Sequence, residues 1–175
     1  ATTQLSSRHS ADGTLHVSIG SRQGAYRDMP ANRRFRLKVV ASAVPDRVVV
    51  DGKPATFSYD GNSLSLNVDI PETDCAKEKN IDIVYPADAP VLTDGLIGKF
   101  RHIQQNCVAM KYRNPGIVFG EELGTMESTG IAMTYNPEKQ RQLVEAFRAN
   151  YSRLAEILKN NGIEGDAAAM FLKTE

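Results

Sequence analysis

Few side chains in this sequence have the types and spacing that chemistry at one centre requires. The histidines, His9, His16 and His102, could serve as general bases or metal ligands. A metal site needs converging ligands, yet no His-x-His, His-x-x-x-His or Cys-x-x-Cys spacing occurs. His9 lies in a polar lead-in, His16 on the polar face of an alternating segment and His102 on the polar side of a helical one. All three are expected as solvated surface residues. Cys107 falls on an apolar stripe and is expected in a core, and Cys75 in a polar turn. A disulfide between them is left open. Nucleophilic catalysis places a Ser, Cys or Thr beside a base, commonly on a Gly-x-Ser-x-Gly turn, and no such turn occurs. Gly13, Gly20 and Gly24 lack the spacing of a phosphate loop. Glu121 and Glu122 lie between glycines, but adjacent carboxylates diverge whereas a catalytic pair must face inward. A solvated acidic loop is expected there. No catalytic residue, no metal and no cofactor is therefore expected of this chain.

Composition narrows the partners. The 175 residues carry 21 Lys+Arg against 21 Asp+Glu, a formal net charge of +0, so no nucleic-acid partner is expected. Arg22, Arg27, Arg33, Arg34, Arg36 and Lys38 form a basic stretch, but three of them fill the outer face of one strand, where charge discourages aggregation. No apolar run approaches the roughly 18 to 20 residues that cross a bilayer, and the N-terminus has no basic-then-apolar signal, so no membrane partner is expected. Hydrophobic residues make up 41%, enough for a globular core. Carbohydrate is a partner to weigh, because small β-domains stack sugars on exposed aromatics. Trp is absent, however, and Phe35, Phe57, Tyr59 and Tyr85 occupy strand positions that favour a core.

The elements that would position these residues change character near Pro86. Before it, Leu15, Val17 and Ile19 alternate with polar residues, as do Phe35, Leu37 and Val39, and Leu64, Leu66, Val68 and Ile70. Val48, Val49 and Val50 run into Asp51 and Gly52, Phe57 and Tyr59 into Asp60, Gly61 and Asn62, and Ile81, Ile83 and Tyr85 into Pro86. This predicts an antiparallel β-sandwich of about six to seven strands over residues 1–88. Residues 89–175 are expected as a helical extension with two long helices, packed on the sandwich or on a partner. The first is capped by Thr93 or Asp94, carries Leu96, Ile97, Phe100, Ile103, Cys107 and Met110, and stops before Asn114, Pro115 and Gly116. Residues 120–130, with three glycines, are expected as a loop with at most one helical turn. The second helix opens at Asn136 and Pro137, carries Leu143, Phe147, Tyr151, Leu154 and Leu158, and closes at Asn161 and Gly162. The fold class is α+β.

Residues 24–35 read Gly-Ala-Tyr-Arg-Asp-Met-Pro-Ala-Asn-Arg-Arg-Phe. This resembles the Gly-x-Tyr-x-Gly-Met-Pro-x-x-Arg-x-aromatic motif in the distal C-terminal β-domain of glycoside hydrolase family thirty-one, the α-glucosidase and α-xylosidase family. The resemblance covers residues 13–85 and continues through Val50, Asp51, Gly52 and Lys53, then Phe57 to Asp60, then the strand from Leu64. The sequence departs at Asp28, where the family has Gly; Asp tolerates the left-handed backbone better than most residues, so the turn is expected to survive. The family's preceding Tyr-Glu-Asp-Asp-Gly strand is absent, as though the chain begins just after it. The resemblance implies a β-sandwich with a turn motif of Gly24, Tyr26, Met29, Pro30, Arg33 and Phe35, in which Tyr26 and Met29 either dock on a neighbour or plug their own sandwich. It also implies that the catalytic aspartates belong to an upstream (β/α)8 barrel, so no residue here inherits a catalytic role. The expected partner is the catalytic domain of a parent glycosidase, with carbohydrate as the alternative, a homo-oligomeric contact left open, and a periplasmic or secreted location.

Overall fold

The computed structural model describes residues 1–173. The fold is α+β, with two antiparallel sheets, of five and three strands, and five α-helices among the described residues. The chain divides into two compact units. Unit 1 comprises Ala1–Tyr59 and Ser65–Ala89; unit 2 comprises Asp60–Leu64 and the helical residues from Pro90 onward.

Unit 1 contains β1 (Leu5–His9), β2 (Thr14–Ile19), β3 (Asn32–Val40), β4 (Arg47–Val50), β5 (Lys53–Ala55), β6 (Phe57–Asp60), β7 (Ser65–Asp74) and β8 (Lys79–Val84). The sheet orders are β1-β2-β8-β4-β5 and β3-β7-β6. Two strands lie outside the expected set, each for a physical reason. β1 buries no side chain and shows no apolar alternation; backbone pairing with β2, from Leu5 opposite Ile19 to His9 opposite Leu15, holds it at a sheet edge. β5 has three residues and includes Pro54, whose missing N–H is tolerated at the opposite edge. The alternation itself places the core: Leu66, Val68 and Ile70 of β7 and Ile81 and Ile83 of β8 are all at most 2% exposed. Asp51 and Gly52 have φ of 49° and 77° and join the paired residues Val50 and Lys53, the positive-φ pair that a two-residue hairpin turn demands. Opposite Arg34, β7 fits in both Pro71 and Glu72 between residues paired to Arg33 and Phe35, a bulge that absorbs the proline.

Unit 2 departs further from expectation. It contains α1 (Leu96–Arg113), α2 (Glu121–Tyr135), a 3-10 turn (Pro137–Lys139), α3 (Gln140–Ser152), α4 (Leu154–Asn160) and α5 (Gly165–Leu172). Two long helices become five. α1 buries Leu96, Phe100, Ile103 and Cys107 and ends at Asn114, but its N-cap is Gly95 with φ of 82°. Asp94 instead holds Arg148 at 2.9 Å. α2 replaces the expected 120–130 loop. Leu123, Met126 and Met133 form its buried stripe, while the glycines that suggested a loop have other uses. Gly120 is the N-cap, and Gly130 lies against the turn Asp60–Leu64 so closely that a Cβ on Gly61 would stand 2.2 Å from the Gly130 carbonyl oxygen. The expected second helix is interrupted once, at Arg153, whose N–H bonds the carbonyl of Asn150 three residues back. Its end is a Schellman cap: Gly162 has φ of 68°, its N–H reaches Lys159 O at 2.9 Å, and that of Ile163 reaches Leu158 O at 2.9 Å. α5 was not expected; its buried Phe171 is 1% exposed.

Candidate functional site

Of the residues singled out by the 24–35 motif, Gly24, Tyr26, Met29 and Pro30 sit in the segment that connects β2 to β3, and Arg33 and Phe35 in β3 itself. Gly24 has φ of 80°, and Asp28 has φ of 60°, the left-handed backbone at the position where the motif carries glycine. A non-glycine residue holds that geometry at a cost, and two arginines contact the residues on either side of it. Arg22 Nη1 donates to Pro30 O at 2.5 Å, and Arg33 Nη2 donates to the Tyr26 hydroxyl at 3.2 Å. Tyr26 remains 52% exposed. Met29 and Phe35 are half-buried, and Pro30 is exposed. The turn therefore presents an aromatic ring whose position is set from behind.

A second constellation gathers residues that the sequence kept apart. Ser10, in the turn between β1 and β2, has its Oγ 3.1 Å from His16 Nε2, and His16 Nδ1 is 2.7 Å from Asp82 Oδ1 on β8. His16 is thus no free surface histidine, and the line has the order of a nucleophile, a base and an orienting acid. Its polarity runs the other way. Ser10 Oγ lies 2.5 Å from Asp12 Oδ1, and this bond with the Thr14 N–H at 3.0 Å lowers the Asp12 carboxyl to about 2 from an ordinary 3.8. A hydroxyl has one proton, and Asp12 Oδ1 at 2.5 Å is a closer acceptor for it than His16 Nε2 at 3.1 Å or Thr14 O at 3.2 Å, so the geometry favours donation to the carboxylate over the histidine. The Asp12 carboxylate would also repel the oxyanion of any acyl intermediate. The arrangement is a brace that ties the β1–β2 turn to β8.

A third feature is a trough where the chain leaves β5, passes Thr56 and enters β6, facing the bulge of β7. Two adjoining depressions, of about 480 and 680 Å³, share Thr56, Asp69, Ile70 and Pro71. Lys79, with a side chain 10% exposed, lies in its wall 3.2 Å from Asp51 Oδ2, and Arg36 Nε reaches Asp69 Oδ1 at 2.6 Å. Backbone donation from Asn80, followed by Lys79, lowers the Asp51 carboxyl against the pull of burial.

The remaining expectations resolve individually. His9 is exposed, whereas His102 lies 3.0 Å from Phe171 O through Nε2. Glu121 and Glu122 occupy the first turn of α2, where negative charge suits the helix dipole, and Glu122 bonds Arg153 at 2.5 Å. Cys75 lies in the turn after β7, as expected, with its side chain buried, and both cysteines are free thiols. Among the described residues no group of three His, Cys, Asp or Glu could hold a metal ion, and no helix is long and apolar enough to cross a membrane. The brace and the trough escaped the sequence because both depend on register: His16 meets Asp82 only through the pairing of β2 with β8. Pro71, directly after the alternating run that ends at Ile70, is a local signal of the break in β7. No family model matches the chain, and no curated protein matches it.

Proposed function

We propose that this chain is a non-catalytic accessory domain of an α-glycosidase, docking on a catalytic (β/α)8 barrel of glycoside hydrolase family thirty-one carried elsewhere on a longer chain. In this reading the two sheets of unit 1 close on each other as a β-sandwich. Each has one apolar face to bury, Leu66, Val68 and Ile70 on the smaller and Leu15, Val48 and Ile83 on the larger. The helices of unit 2 form an extension.

The observation that carries the reading is the 24–35 turn. Asp28 adopts the left-handed backbone where the family motif has glycine, and the exposed Tyr26 hydroxyl accepts from Arg33. An exposed aromatic suits docking because it offers much contact area with few side-chain torsions to order. Tyr112, Val118 and Tyr135 in unit 2 are 79% exposed or more and offer further apolar surface to a neighbour.

The reading frame upstream of Ala1 tests the proposal. A continuous barrel with paired catalytic aspartates supports it, and an unrelated upstream domain removes it. The isolated chain should release no nitrophenol from p-nitrophenyl α-glucoside or α-xyloside, and reproducible turnover would end the accessory reading.

A further inference from the structure

We infer that the open edge of β3 is a docking site for an extended segment of a partner protein, one that alternates apolar with acidic residues and adds to the smaller sheet as a further strand. This goes beyond the accessory reading and does not depend on it. The two sheets end in four edge strands, β1, β5, β3 and β6, with five, three, nine and four residues. Shortness, and Pro54 in β5, limit what can pair with the others, whereas β3 has the length for a continuous ladder and contains no proline. Its neighbour in the sheet is β7 alone, and among the described residues no backbone group of Asn32–Val40 bonds to any other segment. The N–H and C=O groups of alternate residues therefore face outward, ready to pair with an added strand.

Burial identifies the face that such a strand would cover. Ile70, Val68 and Leu66 of β7 are at most 2% exposed, yet Phe35, Leu37 and Val39, paired directly with them, are only half-buried. The apolar row thus reaches the sheet edge without cover. Apolar side chains at alternate positions of an added strand would lie beside these three residues and continue the buried row. The opposite face of β3 sets the charge of the partner. Arg34, Arg36 and Lys38 are exposed there. Asp69 bonds Arg36 at 2.6 Å, while no carboxylate pairs with Arg34 or Lys38 among the described residues. A second copy of this chain, pairing through the same edge, would set these cations against one another, which is destabilising. Acidic residues at the facing positions complement them instead, so the charge that discourages self-association selects the partner.

Amide correlation spectra of the full chain, titrated with the capped peptide Glu-Val-Glu-Val-Glu-Val-Glu, test the site. The peptide should shift the amides of Arg34 to Val40 in a saturable way and leave those of Arg8 on β1 and Glu145 on α3 unmoved. The same peptide with a fully N-methylated backbone keeps its side chains and loses its donors, and should bind about tenfold more weakly or worse. Replacing Arg34→Glu together with Lys38→Glu, both at exposed positions, should weaken the acidic peptide by a similar factor and admit the corresponding Lys-Val peptide in its place. Absence of shifts in the wild-type chain overturns the proposal, as does unchanged affinity in the double variant. Equal affinity for the N-methylated peptide would mark attraction by charge alone, and equal affinity of the wild-type chain for the Lys-Val peptide an edge without charge preference; either result removes the proposal. So does a stronger response at these amides to single-stranded oligothymidylate, which would mark a nucleic-acid surface, or to a rise in protein concentration alone, which would mark a second copy.

Discussion

In unit 2 the helices bury large side chains against one another. Phe100 and Phe147 meet edge to face with ring centroids 4.4 Å apart, and Tyr151 stacks on Phe147 at 5.7 Å. In unit 1 the buried residues alternate with polar ones, and those polar residues are paired across strands: His16 with Asp82, Arg36 with Asp69, Ser18 with Glu78. A strand shows half its side chains to each face, so a sheet with one buried face lines up polar groups on the other at fixed intervals. A helix in a bundle buries a stripe and leaves the rest scattered. Polar pairs in unit 1 therefore fall in register across a sheet face, while those of unit 2, such as Arg148 with Asp94 and Arg153 with Glu122, join separate segments at scattered positions.

Two core truncations probe that contrast most severely. Phe147→Ala removes a ring that is 1% exposed and touches two other aromatics, and should cost about 3–5 kcal/mol. Ile83→Ala on β8, 0% exposed, should cost about 2–5 kcal/mol. Calorimetry of both variants distinguishes two units that melt separately from one cooperative body. If each variant lowers a different transition, the division is energetic as well as geometric; one shared, equally shifted transition would abolish the distinction.

The next effect concerns the one place where a strand turn belongs to the helical unit. A Cβ on Gly61 would stand 2.2 Å from Gly130 O and 2.6 Å from Met133 Cβ. Gly61→Ala should therefore destabilise unit 2 by about 1–3 kcal/mol through overpacking. Gly124→Ala on the same helix meets nothing within 4 Å and should be neutral or slightly stabilising. Equal melting temperatures for the two variants would show that the close approach between the turn and α2 carries no weight.

That contact also marks the limit of what was legible in the sequence. Local signals were sufficient where one residue type has one use. Asp51 and Gly52 form the expected turn, Asn114 ends α1, and Gly162 closes α4. Glycine misled at Gly120 and Gly130, because a residue without Cβ can break a helix or permit another segment to cross it, and composition does not say which. β1 was invisible because only backbone pairing holds it. At the candidate sites the 24–35 turn was legible as a contiguous motif, whereas the brace and the trough each join residues from strands distant in sequence.

The thiols give one reporter per unit. Burial, with Glu127 adding to it, pushes Cys107 up to about 12, so at pH 8 the thiolate is on the order of one part in ten thousand. Cys75 is also buried, at 7% exposed. Neither should react promptly with dithionitrobenzoate in the native chain. Labelling of Cys107 should accelerate with Phe147→Ala and that of Cys75 with Ile83→Ala. Identical labelling rates for the two thiols in both variants would argue for a single unfolding event.

The smallest effect decides how the polar line in unit 1 is wired. If Ser10 gives its proton to Asp12, Ser10→Ala removes the largest influence on that carboxyl, which should rise from about 2 toward its ordinary 3.8. If the proton instead points to His16, the same substitution leaves Asp12 nearly unmoved, held by the Thr14 N–H and hydroxyl and by His16. The sign follows from the depressed folded value. The contribution of Asp12 to stability is present above pH 3.8 and fades as the pH falls toward 2, so the wild-type chain should lose slightly more stability than Ser10→Ala across that window. A carbon-detected titration of the Asp12 carboxyl reads this directly. A value of about 2 retained in Ser10→Ala would detach Asp12 from the serine and leave the Ser10 hydroxyl to Thr14 O or His16.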